Sequence, residues 1–168
     1  MPVPEFVTAL RSKIGTDPLW LIGCTAVVTR GDAAAPQLLL VRRADNGAWT
    51  PVTGIVDPGE HPSVAAVREV LEETAVTAKV VRLAQVGVTR QVRYPNGDQT
   101  QYLDLTYRLR YRTGRPRPAD DENTDARWVP VAELGAAGNR WGLSAAMQAR
   151  VSAALADEAA PRQVLLEG

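Results

Sequence analysis

The sequence predicts an α+β fold in which a mixed central sheet is flanked by helices. Three observations carry this expectation. Short β-rich runs such as Leu38-Leu39-Leu40-Val41 alternate along the chain with segments whose apolar residues recur at helical spacing. Proline, glycine and Asn-Gly punctuation separates the runs, and no internal repeat or long linker interrupts them. At 168 residues, 45% hydrophobic and 23% charged, the chain is long enough for one substantial core and ordinary in composition.

Taken in order, residues 4–14 read as a short amphipathic helix with Phe6, Leu10 and Ile14 on one stripe. Strands follow at 19–29 and 37–43. Residues 54–60, with Pro58 and Gly59, read as a loop. A helix then starts at Pro62 and Ser63, since proline suits a first turn where its missing N–H would be unpaired anyway. Residues 76–88 and 99–111 alternate as strands, joined across Tyr94-Pro95-Asn96-Gly97-Asp98, where Asn-Gly marks a tight turn. Residues 114–122, with two prolines, form an exposed loop, and 127–130 a last short strand. Residues 141–157 close the fold as a helix, with Leu143, Met147, Val151 and Leu155 at helical spacing for a core or a dimer face. The organisation is therefore an N-terminal helical extension (1–18), a single domain (19–160) and a short apolar tail (161–168).

Composition excludes several classes of partner. With 19 basic and 19 acidic residues the net charge is zero, which argues against a nucleic-acid surface. No run approaches the roughly 20 apolar residues of a membrane span, and the first residues lack the basic and apolar regions of a signal peptide. Cys24 is the sole cysteine and lies in an apolar run, so it reads as a buried thiol. Together these features point to the cytoplasm.

Residues 54–76 carry the chemistry. At about 100° per residue, Glu69, Glu72 and Glu73 fall on one face of the helix, with Ala65 and Ala66 beside them. Val64, Val67 and Leu71 cluster opposite, as a core face would. Three carboxylates repel one another, and an exposed Arg68–Glu72 pair one turn apart stabilises by only about 0.3–0.5 kcal/mol. One arginine cannot neutralise Glu60, Glu69, Glu72 and Glu73. A hard divalent cation can, because magnesium and manganese choose carboxylate oxygens and keep waters for substrate phosphates. A lone Glu-x-x-Glu-Glu would be a solvated helix face; the longer pattern shifts that balance.

Gly54, Glu60, Arg68, Glu69, Val70, Glu72, Glu73 and Val76 match, in register, the box Gly-x5-Glu-x7-Arg-Glu-U-x-Glu-Glu-x-Gly-U of the Nudix hydrolases, MutT-like proteins among them. Average residue usage meets six such fixed positions about once in ten million starting points. The chain departs at Ala75, where the family has glycine, and at Val52-Thr53, where most relatives read Pro-Gly. Flanking features, Arg42-Arg43 with Trp49 before the box and Arg127-Trp128-Val129-Pro130 after it, extend the resemblance over roughly 20–135.

The resemblance implies a Nudix α/β/α sandwich and a set of roles. Glu72 and Glu73 look like the core metal ligands. Glu69 looks like a further ligand or the group acting on the attacking water, and which glutamate is the base varies within the family. Arg68 looks like their orienting partner, Glu60 like an additional metal residue. The Thr53 carbonyl matches the backbone ligand before the box glycine. An acid from a later loop completes such sites; Asp120, Asp121 and Glu122 are the candidates, with Glu122 favoured. The implied cofactor is Mg2+ or Mn2+, and the implied reaction is attack of water on a diphosphate linkage.

Specificity lies outside the box. Arg42 and Arg43 end a strand pointing at the cleft, and arginine forks suit phosphate. Tyr94, Tyr102, Trp49 and Trp128 are candidates for stacking on a base, each weighed against ordinary packing. Arg90 and Arg93 are weaker phosphate contacts, and His61 reads as a surface residue. The expectation is a nucleotide pyrophosphohydrolase acting on a small nucleoside diphosphate-linked substrate. Alternatives are cleavage of ADP-ribose or a nucleotide sugar, or a Nudix module that binds a nucleotide metabolite without cleaving it. The family also admits a homodimer.

Overall fold

A computed structural model of the chain describes residues 3–134, 140–157 and 159–164. Its sheet follows the order β3-β2-β1-β7-β5-β9, formed by Trp49–Thr50 (β3), Gln37–Arg43 (β2), Leu19–Arg30 (β1), Gln99–Thr113 (β7), Thr77–Val88 (β5) and Arg162–Val164 (β9). Three further strands join it: Val52–Ile55 (β4) on β1, Val92–Arg93 (β6) on β7 and Asn123–Pro130 (β8) on β2. The sheet is mixed, as expected. β1 and β7 run parallel at its centre, and β5 pairs antiparallel with β7.

Alternation along the strands builds two cores on opposite faces. Cys24, Ala26 and Val28 of β1, with Leu39 and Val41 of β2, meet Ala65, Ala66 and Val70 of helix α2 (Pro62–Thr74). Val27, Leu38 and Leu40 meet Leu143, Val151 and Ala154 on the side of helix α3 (Ala145–Leu155). The unbroken Leu38–Val41 run follows from this, because both faces of β2 are covered. No helix among the described residues is long and apolar enough to cross a membrane.

Several expectations need correction. Of the expected loop 54–60, residues 54 and 55 are strand: β4 pairs with β1 from Gly23↔Ile55 to Ala26↔Val52. The closing helix is shorter, starting at Ala145 with the Ser144 hydroxyl accepting from the Met147 N–H at 3.2 Å. Val151 of that helix and Leu143 just before it are core residues. Helix α1 (Glu5–Ile14) buries Val7, whereas Leu10 is exposed. Arg11 docks it: its guanidinium donates to the Gly15 carbonyl (3.1 Å), the Gln99 carbonyl (2.7 Å) and Thr100 Oγ1 (3.1 Å). The tail enters the sheet as β9, parallel to β5, and residues 165–168 lie outside the described residues.

The largest correction concerns α2. Of the expected core stripe, Val64 and Leu71 face solvent, 57% and 49% exposed, while Val67 packs against the core as expected. Ala65, Ala66, Glu69, Val70 and Glu73 are the buried side. Alanines let the helix approach the strands closely, and Arg68 partly offsets the charge drawn in with it. Apolar periodicity alone selects the wrong face wherever function buries acids.

Candidate active site

The site is built where α2 crosses β4. His61 caps the helix, its Nδ1 accepting from the Ser63 N–H at 3.3 Å, and it is exposed as expected. Ala75 ends the helix at φ 56°, the left-handed conformation in which glycine is at ease. Gly54 shows a different need. Its φ is not positive; instead a Cβ there would lie 2.2 Å from the Glu69 carboxyl carbon. Gly54 is therefore required for space: the Glu69 carboxyl lies directly on its backbone.

Arg68 organises the acids. Its Nε and Nη2 donate to the two Glu60 oxygens, both at 2.9 Å, and Nη1 donates to Glu69 Oε1 (2.9 Å) and Glu72 Oε2 (3.0 Å). A further bond from Nη2 reaches the Ile55 carbonyl at 3.3 Å. Glu73 instead accepts from a neutral amide, Asn123 Nδ2 at 2.8 Å. Glu69 is 1% and Glu73 3% exposed.

Burial dominates the electrostatics. It pushes the Glu69 carboxyl up to about 7, against the opposing pull of Arg68. It pushes Glu73 up to about 8, with Glu69, Glu122 and Asp120 adding repulsion and Asn123 opposing. Glu60 is held below the usual carboxylate range, chiefly by its hydrogen bonds from Arg68. These raised values reflect carboxyls withdrawn from water, with neighbouring acids adding to the effect.

The loop before β8 brings the later acids in. The Ala119 N–H donates to the Glu73 carbonyl (3.1 Å), and the Ala44 N–H to the Glu122 carbonyl (2.7 Å). Glu122 and Asp121 line a cleft of about 1220 Å³ together with Glu69, Thr53, Gly54 and Arg43. Arg43 is tied to Asp45, its Nε to Oδ1 at 2.9 Å and Nη2 to Oδ2 at 2.7 Å. Tyr94 also reaches the cleft, its hydroxyl 2.9 Å from that of Tyr102.

Arg42, Trp49 and Trp128 lie away from it. Arg42 is exposed and donates from Nε to the Gly47 carbonyl at 3.2 Å, closing its own turn. Trp49 packs edge-to-face on Trp141, ring centres 4.9 Å apart. Trp128 packs similarly on Tyr111. Among the described residues no three acidic, histidine or cysteine side chains converge on a common point at metal-binding distance. Arg68 holds Glu60, Glu69 and Glu72 on its own donors, while Glu73 is drawn to Asn123.

Several contributors escaped sequence reasoning. Asn123 sits 50 residues from Glu73, on the far side of a loop. Thr50 lines the cleft with its buried Oγ1 unpartnered among the described residues. On the cleft floor, Arg150 of α3 meets Asp104 of β7 at 3.1 Å, both buried, and donates to Thr25 Oγ1 at 2.7 Å. The Thr25 and Thr106 hydroxyls donate to Asp104 at 2.8 and 2.9 Å. Only the run of Asp104 between Leu103 and Leu105 hinted that this acid sits inside.

Comparison with known proteins agrees with the geometry. Residues 21–149 match the family model of the NUDIX domain. A MutT-like protein of Streptomyces ambofaciens is 39% identical over 119 residues, covering 70% of this chain and 68% of that protein. An NAD-capped RNA hydrolase NudC of Pseudomonas putida (strain W619) is 34% identical over 127 residues, 74% of this chain, and this chain spans only 40% of its length. Among solved structures, the NUDIX domain of Shewanella oneidensis NrtR, complexed with ADP ribose, superposes with a TM-score of 0.65 at 17% identity, covering 90% of this chain and 97% of that one.

Proposed function

We propose, for a chain that belongs to the Nudix family, that it is a metal-dependent pyrophosphohydrolase cleaving a diphosphate linkage in a small nucleoside di- or triphosphate derivative. One observation carries the reading: Glu69, which lines an open cleft, and Glu73, one turn further along α2, are both buried, with more acidic groups around them than Arg68 serves. Buried acids of that kind fit a hard divalent cation, since carboxylate oxygens are its preferred donors. Glu69, Glu72 and Glu73 would hold Mg2+ or Mn2+, with Glu60, Glu122 and the Thr53 carbonyl as further donors. The bound ion would acidify a water and offset charge on the anhydride.

The chain's own residues do the rest. Arg68 fixes the rotamers of Glu60, Glu69 and Glu72 through short hydrogen bonds. Asn123 orients Glu73. Glu69, Glu72 or both hold the proton leaving the attacking water. Arg43 at the cleft wall suits a phosphate oxygen once released from Asp45.

The second reading is an ADP-ribose or nucleotide-sugar pyrophosphatase. It is favoured by the fold shared with the NrtR domain, whose own ligand is ADP ribose. With either reading we propose a cytoplasmic protein that acts on a small-molecule partner. The test is hydrolysis of a panel by purified protein: canonical and oxidised nucleoside triphosphates, ADP-ribose, nucleotide sugars and dinucleoside polyphosphates, with magnesium or manganese. Metal-dependent release of phosphate, pyrophosphate or monophosphate from one class is the expected result. A folded protein silent across the panel overturns the hydrolase and favours a nucleotide-binding module.

A further inference from the structure

Gly23 lies in β1 where two parts of the cleft meet. A Cβ built on it would sit 3.4 Å from the Tyr102 ring, 3.7 Å from Asp104 Oδ2 and 3.7 Å from the Gly54 carbonyl oxygen. Gly54 is the residue against which Glu69 lies, so one step from Gly23 leads to the carboxylates and another to the tyrosine. β4, β1 and β7 are successive neighbours, which separates the Gly54 and Tyr102 rows by roughly 10 Å, two strand spacings.

The two ends differ in chemistry. One carries Glu69, Glu122 and Arg43. The other carries the aromatic rings, Tyr102 and Tyr94, with Val92 and, from α1, Val7, and has Arg11, Asp98 and Thr100 beside them. Tyr102 is fixed there, its hydroxyl paired with Tyr94 and its N–H donating to Thr89 Oγ1 at 2.9 Å. A held aromatic ring is a platform on which a base can stack, for about 1–3 kcal/mol.

The backbone does not explain the glycine. Gly23 is not among the residues of positive φ, and glycine inside a strand is destabilising by about 0.5–1 kcal/mol relative to alanine. Space explains it, as close approach of a ligand does for strand glycines generally. We propose that Gly23 is a specificity-determining residue: its missing side chain keeps the floor open between the carboxylates and Tyr102. The nucleoside of a diphosphate substrate then lies across β1 with its base at Tyr102. This rests on the hydrolase reading for the position of the diphosphate, but binding tests it separately.

At the distances above a methyl meets only ordinary contacts, so Gly23→Ala should fold and fill the passage. The experiment compares wild type, Gly23→Ala, Gly23→Val and Tyr102→Ala by calorimetry, with AMP, GMP, CMP and UMP against ribose 5-phosphate. Melting temperature is the control for folding. Wild type should bind at least one mononucleotide more tightly than ribose 5-phosphate. Gly23→Ala should weaken that nucleotide by about tenfold or more, Gly23→Val further, and Tyr102→Ala comparably, with ribose 5-phosphate unchanged. Unchanged nucleotide affinity in folded Gly23→Ala, equal loss for both ligands, or no nucleotide preference in wild type overturns the proposal. Should Gly23→Val unfold, Gly23→Ala and Tyr102→Ala decide it. Absent metal-dependent hydrolysis with the binding pattern intact would remove the hydrolase reading alone.

Discussion

Two buried ionic groups sit at one cleft and behave differently. Asp104 and Arg150 form a pair, one acid and one base, and Thr25 and Thr106 donate further hydrogen bonds to the acid. At α2, Arg68 serves Glu60, Glu69 and Glu72, while among the described residues the Glu73 carboxyl is paired with an amide, Asn123. An ion pair can be structural; its removal exposes an uncompensated charge. An acid excess destabilises the empty fold and must be repaid by what binds there. The contrast separates scaffold from site.

The strongest way to break it is to strike each group once. Glu73→Gln should lower turnover by about a hundredfold or more, at the upper end for loss of a group around a metal. Its melting temperature without metal should stay level or rise, because a disfavoured charge is gone. Arg150→Ala should do the reverse to the fold, destabilising by about 3–5 kcal/mol, or roughly 10 °C for a chain of this size. Combining Arg150→Met with Asp104→Leu should recover most of that loss. Thermal unfolding and steady-state assays on the same preparations check both. An Arg150→Ala protein as stable as wild type would dissolve the distinction.

Gly54→Ala comes next. The new methyl must displace Glu69, and a shift of about 1 Å at reacting groups costs up to about a hundredfold in rate. Stopped assays over a magnesium series should show loss of turnover, and a wild-type rate would mean Glu69 can sit elsewhere.

pH sharpens the comparison further. Glu69 and Glu73 titrate near 7 and near 8 in the fold, above their ordinary 4.5. Folded protein therefore holds protons that unfolded chain has released. Their contribution is full below about pH 4.5 and is lost as pH rises through 7 and 8. Metal-free melting temperature should fall across pH 5 to 8.5, and the fall should flatten in Glu73→Gln. A flat wild-type profile would contradict the burial of these charges.

The smallest effect is at the helix end. Ala75→Gly should stabilise by about 0.5–1 kcal/mol, since alanine now holds a left-handed φ of 56°. Chemical denaturation resolves this, and no gain would mean the turn tolerates a Cβ freely.

The site was legible where its residues share one helix. Arg68, Glu69, Glu72 and Glu73 are four local positions at a spacing that geometry interprets directly, and strands 37–43 and 99–111 announced themselves by composition. Contacts that close long loops were not legible. Asn123 reaches Glu73 across 50 residues and Arg150 reaches Thr25 across 125, and no local pattern encodes either. The buried face of α2 was misread for a physical reason: the helix buries alanines and acids over Gly54 and leaves Val64 and Leu71 outside. Arg42 and Arg43 illustrate the limit of strand parity, since adjacent side chains point apart and only Arg43 reaches the cleft.

The most direct test of the central claim is thermal unfolding of wild type and Glu73→Gln with and without millimolar magnesium at pH 8. An ion that binds only the folded state at about a hundred times its Kd adds about 2.7 kcal/mol. The account predicts a rise of several degrees for wild type, lost or strongly reduced in Glu73→Gln. Equal shifts in both proteins, or none in wild type, would contradict the assignment of the α2 acids as a metal site.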